Sequence, residues 1–142
     1  MKEQEFENHS RMVPMFHYVT LPIIFVLFIG SIVNLVQSKT GDYLSASLIC
    51  GTSFVLILVA FYARSFALKA QDRAIRAEEN LRHFVLTGSL LPPEVTMSQV
   101  IALRFASDAD FLVLSRRAVT EKLTNTEIKE LIKRWRADNH RV

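Results

Sequence analysis

The four histidines are the side chains of this sequence best suited to metal binding or acid–base chemistry. They are scattered along the chain, at His9, His17, His83 and His140, and no two of them have the spacing of a metal-ligand pair. The sequence also contains no glycine-rich phosphate loop and no motif that pairs a nucleophile with a base. We therefore predict that the protein has no metal site, uses no cofactor and is not an enzyme.

Two other places carry reactive or polar side chains. Cys50 is the only cysteine, so no disulfide can form within the chain, and we interpret it as a small packing residue. Arg104, Asp108 and Asp110 lie close together in the sequence. They could form a salt bridge or polar site at a corner between two helices. Alternatively, Arg104 extends past Phe105 to solvent, which we consider the better interpretation.

The charges are strongly segregated along the chain. Half of the 142 residues are hydrophobic, yet between residues 18 and 63 the only full charges are Lys39 and Asp42. This polarisation is typical of a membrane protein with cytosolic parts. Elsewhere acidic and basic residues are interleaved, so the net charge of +3 does not form the basic stripe of a nucleic-acid-binding protein.

Two apolar stretches are each long enough to cross a bilayer, at about residues 18–36 and 44–63. The polar turn 37–42 joins them, and such a short connection requires two adjacent, antiparallel helices. The turn carries only Lys39, whereas the outer flanks carry Lys2, Arg11, Arg64, Lys69, Arg73 and Arg76. The positive-inside rule then predicts that both termini are cytosolic.

Small residues are expected to hold the two spans together, because lipid provides no hydrophobic drive for helix association. Gly30 and Ser31 in the first span lie at the same depth as Ser47 and Gly51 in the second. We predict that these four residues form the packing surface. Neither span contains an Asp, Glu, Lys, Arg or His residue, which argues against an ion pathway within one hairpin.

The second span is predicted to continue as one charged helix from about Leu44 to Thr87, with Gly88 as its left-handed stop. A seam of residues three and four apart follows this helix, at Ala67, Ala70, Ala74, Ala77, Leu81 and Phe84. The seam could pair with a second copy or another protein, or it could be covered by the C-terminal helices of the same chain. The basic residues near the bilayer could contact anionic headgroups, at Arg64, Lys69, Arg73 and Arg76.

Three short helices are predicted after the break at Pro92 and Pro93. Their starts are marked by side chains that can cap an N-terminus, in the pairs Thr96 with Gln99, Ser107 with Asp110, and Thr124 with Glu127. Apolar spacing extends the last helix as far as Trp135. A core this small needs support, so we expect the tail to rest on the long helix, the membrane or a partner.

Three stretches of the sequence resemble a bacterial family of uncharacterised membrane proteins, a domain of unknown function. They are KEQEFENH at the start, FALKAQDRAIRAEENLRHF from Phe66 to Phe84, and MSQVIALRFASD with EIKELIKRWRADNHRV. The resemblance covers essentially the whole chain. It implies an integral membrane protein of bacteria with two spans and a basic helical tail, and it implies no activity.

Together these patterns predict an all-α membrane protein. Its parts are a cytosolic N-terminal segment (1–17), a transmembrane hairpin (18–63), a juxtamembrane charged helix (64–88) and a cytosolic tail of three short helices (89–142).

The predicted function is that of a small interaction, scaffold or accessory subunit in the bacterial inner membrane, with the lipid bilayer and either a protein or a second copy as partners. A component of a transporter or channel is the alternative, and membrane-tethered nucleic-acid binding is a more distant one. The sequence leaves open whether a small molecule binds.

Overall fold

A computed structural model describes residues 12–138, and every regular element within that range is helical. A π-helical turn, Met15–Thr20, leads into α1 (Leu21–Gln37). It is followed by α2 (Tyr43–Thr87), α3 (Met97–Leu103), α4 (Asp108–Thr120) and α5 (Asn125–Leu131). These five helices confirm the all-α prediction and the single long helix. The flanking charges Lys2 and Arg11 and the histidines His9 and His140 lie outside the described residues.

The chain divides into two compact units, and α2 contributes to both. One unit comprises residues 12–67, and the described part of the other comprises residues 68–138. The second half of α2 thus belongs to the same unit as α3, α4 and α5. Most of the predicted charged helix, 64–88, is therefore part of the C-terminal unit.

The N-terminal unit contains an apolar helical hairpin. Both its helices, Met15–Gln37 and Tyr43–Thr87, are long and apolar enough to cross a membrane. Most of their large side chains are exposed rather than packed in a protein core, among them Ile23, Phe25, Val26, Ile29, Val33, Leu44, Leu48, Val55, Val59 and Phe61. These helices are therefore not buried in an apolar core of this chain.

The two hairpin helices face each other along residues spaced three and four apart. On α1 the buried or half-buried positions are Leu21, Ile24, Phe28, Ser31 and Leu35, and on α2 they are Ala46, Cys50, Ser53, Ile57 and Ala60. The rings of Phe28 and Phe54 lie 6.1 Å apart across the pair. The hydroxyls of Ser31 and Ser53 donate to carbonyls of their own helices, at 2.6 and 2.9 Å. Both can therefore lie in an apolar seam without an unsatisfied donor.

The predicted packing surface of the spans is corrected by this seam. Ser31 is buried, but Ser47, Gly30 and Gly51 are exposed, and a Cβ added at either glycine would meet nothing within 4 Å. Small residues do form the contact, as expected for helices in lipid. They are the alanines and the serine on a different face of α2, namely Ala46, Ser53 and Ala60.

The C-terminal unit has a continuous apolar core. It includes Ile75 from α2 together with residues from the connecting loop and the three short helices: Leu91, Val95, Val100, Leu103, Phe105, Phe111, Leu114, Ala118, Ile128 and Ile132. Gly88 ends α2 with a φ of 77°, and its N–H donates to the Phe84 carbonyl at 2.7 Å. The predicted left-handed stop is thus confirmed.

The three predicted helix starts are confirmed by their hydrogen bonds. The hydroxyls of Thr96, Ser107 and Thr124 each accept from the backbone N–H three residues later, at 3.3 Å. The side chain of Gln99 does more than complete its capping box. Its amide also donates to the carbonyls of Ala118 and Leu123, at 2.8 and 2.9 Å. One buried side chain therefore ties the start of α3 to the end of α4.

The cap at Thr124 gives a testable dependence on pH. The N–H and hydroxyl of Thr124 donate to the Glu127 carboxylate and hold its pKa below the ordinary value of 4.5. A pKa lowered by folding stabilises the folded state above the ordinary value, and this contribution is lost as the pH falls through the folded pKa. We expect Glu127→Gln to weaken the acid-induced loss of stability between pH 5 and pH 3, measured by urea unfolding in detergent micelles. Glu130→Gln removes the same charge outside the cap and should retain the parental pH profile.

The predicted extension of the last helix to Trp135 is wrong. Helix α5 ends at Leu131, and Ile132 has extended backbone angles. The following segment pairs with the turn between α3 and α4. The N–H of Arg136 donates to the Phe105 carbonyl at 2.7 Å, and that of Ser107 donates to the Arg134 carbonyl at 3.2 Å. Trp135 still packs in the core, with its ring 5.1 Å from that of Phe105. These contacts satisfy backbone groups that would otherwise bond within a helix.

Candidate functional site: two faces of the long helix

One face of α2 is occupied by the C-terminal helices. Ile75, Glu79 and His83 are buried there, and Arg76 and Arg82 are half-buried. The intervals of three and four residues place these side chains along one side of the helix. We call this set the tail-packing face. This face has one aliphatic and several charged residues, so it is polar for a surface that packs against an apolar core.

Arg82 is the centre of the tail-packing face. Its guanidinium donates to Asp108 Oδ1 at 2.6 and 2.8 Å, to the Ala106 carbonyl at 2.8 Å and to Glu79 Oε2 at 3.0 Å. It also lies 4.4 Å above the centre of the Phe111 ring. The side chain is only 10% exposed. A planar fork that satisfies several acceptors at once fixes α2 to the start of α4 in a single orientation.

Further contacts extend this attachment along α2. Arg76 Nη1 donates to the Val95 carbonyl at 2.8 Å. His83 Nδ1 lies 2.7 Å from the Ser89 carbonyl, and its ring meets that of Phe111 edge-on at 6.0 Å. The loop after α2 is therefore tied back to the helix at both of its ends.

These contacts change the interpretation of the basic residues near the proposed bilayer. Arg76 is half-buried and bonds to the Val95 carbonyl within the fold, and its contact with headgroups stays a prediction. Lys69 and Arg73 are exposed, and Arg64 is half-buried. Arg82 bonds to Glu79 and Asp108, because its side chain is directed toward the tail.

A polar corner between helices, which was the less favoured alternative in the sequence analysis, is present, but with different partners. Asp108 is paired with Arg82 rather than with Arg104. Arg104 is 8% exposed and lies against the Phe105 ring at 4.6 Å, with Nε 3.3 Å from Asp138. The interpretation of Arg104 as a chain reaching out to solvent is therefore wrong. Asp110 Oδ2 accepts from the Ser107 hydroxyl and from the Arg134 backbone N–H. Asp110 therefore connects the start of α4 to the C-terminal segment.

A different face of α2 is left open, and it carries the seam predicted from the sequence. All six seam residues are exposed: Ala67, Ala70, Ala74, Ala77, Leu81 and Phe84. Leu81 is 64% and Phe84 51% exposed, and the neighbouring Val85 is 75% exposed. The chain's own C-terminal helices therefore do not cover the seam. We call these six residues together with Val85 the open face.

The sequence analysis missed the tail-packing face. A signal was present in Ile75, which is the single large aliphatic residue between Leu68 and Leu81. Combined with Glu79 and His83 at intervals of four, it marks a second stripe on the helix. Because the stripe is charged, its burial depends on partners such as Asp108 that only the fold brings near.

The described residues give no arrangement suited to metal binding. Within residues 12–138, no three His, Cys, Asp or Glu side chains are close enough to hold an ion. His17 and His83 both bond to backbone carbonyls, of Val13 and Ser89. That the protein uses no cofactor and catalyses no reaction stays a prediction.

Comparisons with known proteins give one match. The searches of curated proteins and of solved structures found no similar chain. The sequence model of a family of unknown function matches the whole chain, residues 1–142. The protein therefore belongs to that family of unknown function, DUF6526.

Proposed function

We propose that this protein is an integral protein of the bacterial inner membrane with two spans and both termini in the cytosol. In this proposal it is not an enzyme but an accessory or scaffold subunit that binds a protein partner, either a second copy or a different protein, through the open face of α2. The observation that carries the proposal is the exposure of that face, although the C-terminal helices pack on the same long helix.

The apolar surface of the hairpin supports the membrane location. Exposed aliphatic and aromatic side chains surround both helices, including Val26 at 69% and Leu44 at 73% exposure. Exposing such surface to water costs roughly 25 cal/mol per Å², and soluble monomers rarely expose patches of more than a few hundred Å². A bilayer removes this cost. Because only one side of each helix lies in the seam, the outer side chains can contact lipid.

The orientation can be tested by labelling single cysteines in intact cells, in a Cys50→Ala background. Lys39→Cys in the turn should react with a membrane-impermeant maleimide added outside. Glu94→Cys, at an exposed position of the C-terminal unit, should react only after the membrane is permeabilised. The reverse pattern would contradict the cytosolic placement of the termini.

The composition of the open face supports an interaction role. Its four alanines allow another helix to approach closely, and Leu81 and Phe84 offer larger apolar contacts at one end. Leu81 and Phe84 are too exposed to contribute to the core of this chain. Large apolar side chains of this exposure are common at binding surfaces.

A photo-crosslinking residue at Ala77, in the middle of the open face, tests the interaction in intact cells. We expect a discrete adduct on irradiation. The same residue at Glu94, exposed but outside the open face, should give none. Uncrosslinked monomer from both positions would contradict the proposal.

A further inference from the structure

We propose that the partner of the open face is a second copy of this chain, aligned parallel and in register along α2. This inference rests on the membrane insertion proposed above, because insertion gives all copies the same orientation. The observation that supports a parallel second copy is the arrangement of the charges that flank the open face.

The open face has two alternating sets of positions, as in a coiled coil. Ala67, Ala74 and Leu81 form one set, and Ala70, Ala77 and Phe84 form the other. In a parallel, in-register pair each residue meets its own counterpart in the partner helix. The alanines then permit close contact, and the leucine and phenylalanine pairs bury large apolar side chains that are exposed in the single chain.

The flanking charges are complementary in this arrangement. Arg73 and Glu78 lie on opposite flanks of the seam, five residues apart, and both are exposed. In a parallel pair this spacing places Arg73 of each copy beside Glu78 of the other, so two salt bridges form. The remaining flanking residues of the seam are uncharged, at Phe66, Gln71, Asn80, Val85 and Thr87. No like charges therefore face each other.

The length of α2 explains why lipid cannot substitute for this partner. The helix has 45 residues, and a hydrocarbon core covers about 20 of them. Leu81, Phe84 and Val85 lie near its C-terminal end, in the part that a bilayer starting near Tyr43 does not reach. An alanine-rich seam buries little area and pairs weakly by itself. Confinement in one membrane raises the effective concentration of the second copy and favours the pair.

Disulfide trapping in native membranes tests the geometry. In a Cys50→Ala background, Ala77→Cys should form a disulfide-linked dimer on mild oxidation. Membrane insertion orients both copies alike, so residue 77 lies beside its counterpart when the two helices are in register. Glu94→Cys, outside the open face, should remain monomeric under the same conditions.

Charge reversal tests the identity of the partner. In the Ala77→Cys background, Arg73→Glu and Glu78→Arg should each lower the dimer yield about tenfold, because two attractive pairs become two repulsive ones. Co-expression of the two variants with different tags should restore the yield in the mixed dimer, where every pair is again attractive. Arg116→Glu and Glu94→Arg, at exposed positions of the C-terminal unit, make the same charge changes outside the open face and should leave the yield unchanged.

The outcomes separate this inference from the proposed function. A disulfide dimer whose yield is rescued by the mixed pair supports the second copy. If Ala77→Cys gives no dimer while the photo-adduct at Ala77 contains another protein, the second copy is wrong and the interaction surface stands. If neither forms, both proposals are wrong. A dimer that charge reversal does not weaken would overturn the proposed pairing of Arg73 with Glu78.

Discussion

Replacing Arg82 with alanine is expected to lower the free energy of unfolding of the C-terminal unit by about 3–5 kcal/mol. The change removes the donor to the Ala106 carbonyl and the main partner of Glu79, whose side chain is only 6% exposed. Arg136 Nη1, at 3.9 Å from Glu79, compensates this carboxylate only weakly. Leaving the buried Glu79 carboxylate without a close partner lowers the free energy of unfolding by more than the ion pair contributed.

The measurement uses Trp135, the only tryptophan in the chain, whose fluorescence reports unfolding of the full-length protein by urea in detergent micelles. Arg117→Ala is the matched control. Its ion pair with Glu121 is 40% and 46% exposed, and such solvent-exposed pairs contribute little to stability. Equal losses for the two variants would show that Arg82 does not act as a buried anchor. Arg82→Lys should fall in between, because lysine keeps the charge but not the planar fork.

Replacing Phe111 with alanine should cost a similar amount, about 3–5 kcal/mol. The side chain is fully buried in the core, and its ring carries the Arg82 guanidinium on one face. Its removal leaves a cavity and takes away the surface on which that guanidinium rests. The loss should therefore lie at the upper end of this range and should not add fully to the effect of Arg82→Ala.

The same urea experiment tests this second prediction. Val113→Ala, two residues further along α4 and 57% exposed, should change stability by less than about 0.5 kcal/mol. Phe111→Leu should recover much of the loss because it refills most of the volume. A Phe111→Ala variant as stable as Val113→Ala would mean that the core does not depend on this ring.

Helix boundaries were the most predictable part of this fold. The start of each short helix depends on a hydroxyl and the residues just after it, and the end of α2 depends on Gly88. Such local signals act within a few residues, so they can be recognised in one sequence. The end of α5 could not, because the segment up to Trp135 is held by carbonyl and N–H groups of Phe105 and Ser107, distant in sequence.

Helix faces were harder to predict than helix ends. On α2 the alanine seam has the cleaner periodicity, yet the C-terminal helices pack on the charged stripe around Glu79 and Arg82. Charge on a helix normally indicates solvent. It is buried here because Asp108 and the Ala106 carbonyl complete the hydrogen bonds of Arg82. Pairing across such distances leaves no periodic signal, and the same reasoning applies to Arg104 with Asp138.

The small residues between α1 and α2 also limit how the family can vary. A larger side chain at Ala46, Ser53 or Ala60 would push the two helices apart, whereas the outward positions need only remain apolar. Among relatives we expect free exchange of leucine, isoleucine, valine and phenylalanine at positions such as Val26 and Leu48. At the three inner positions alanine, serine and glycine should replace one another and little else. The contact surface of the hairpin should therefore be visible among relatives as a set of positions where only small side chains occur.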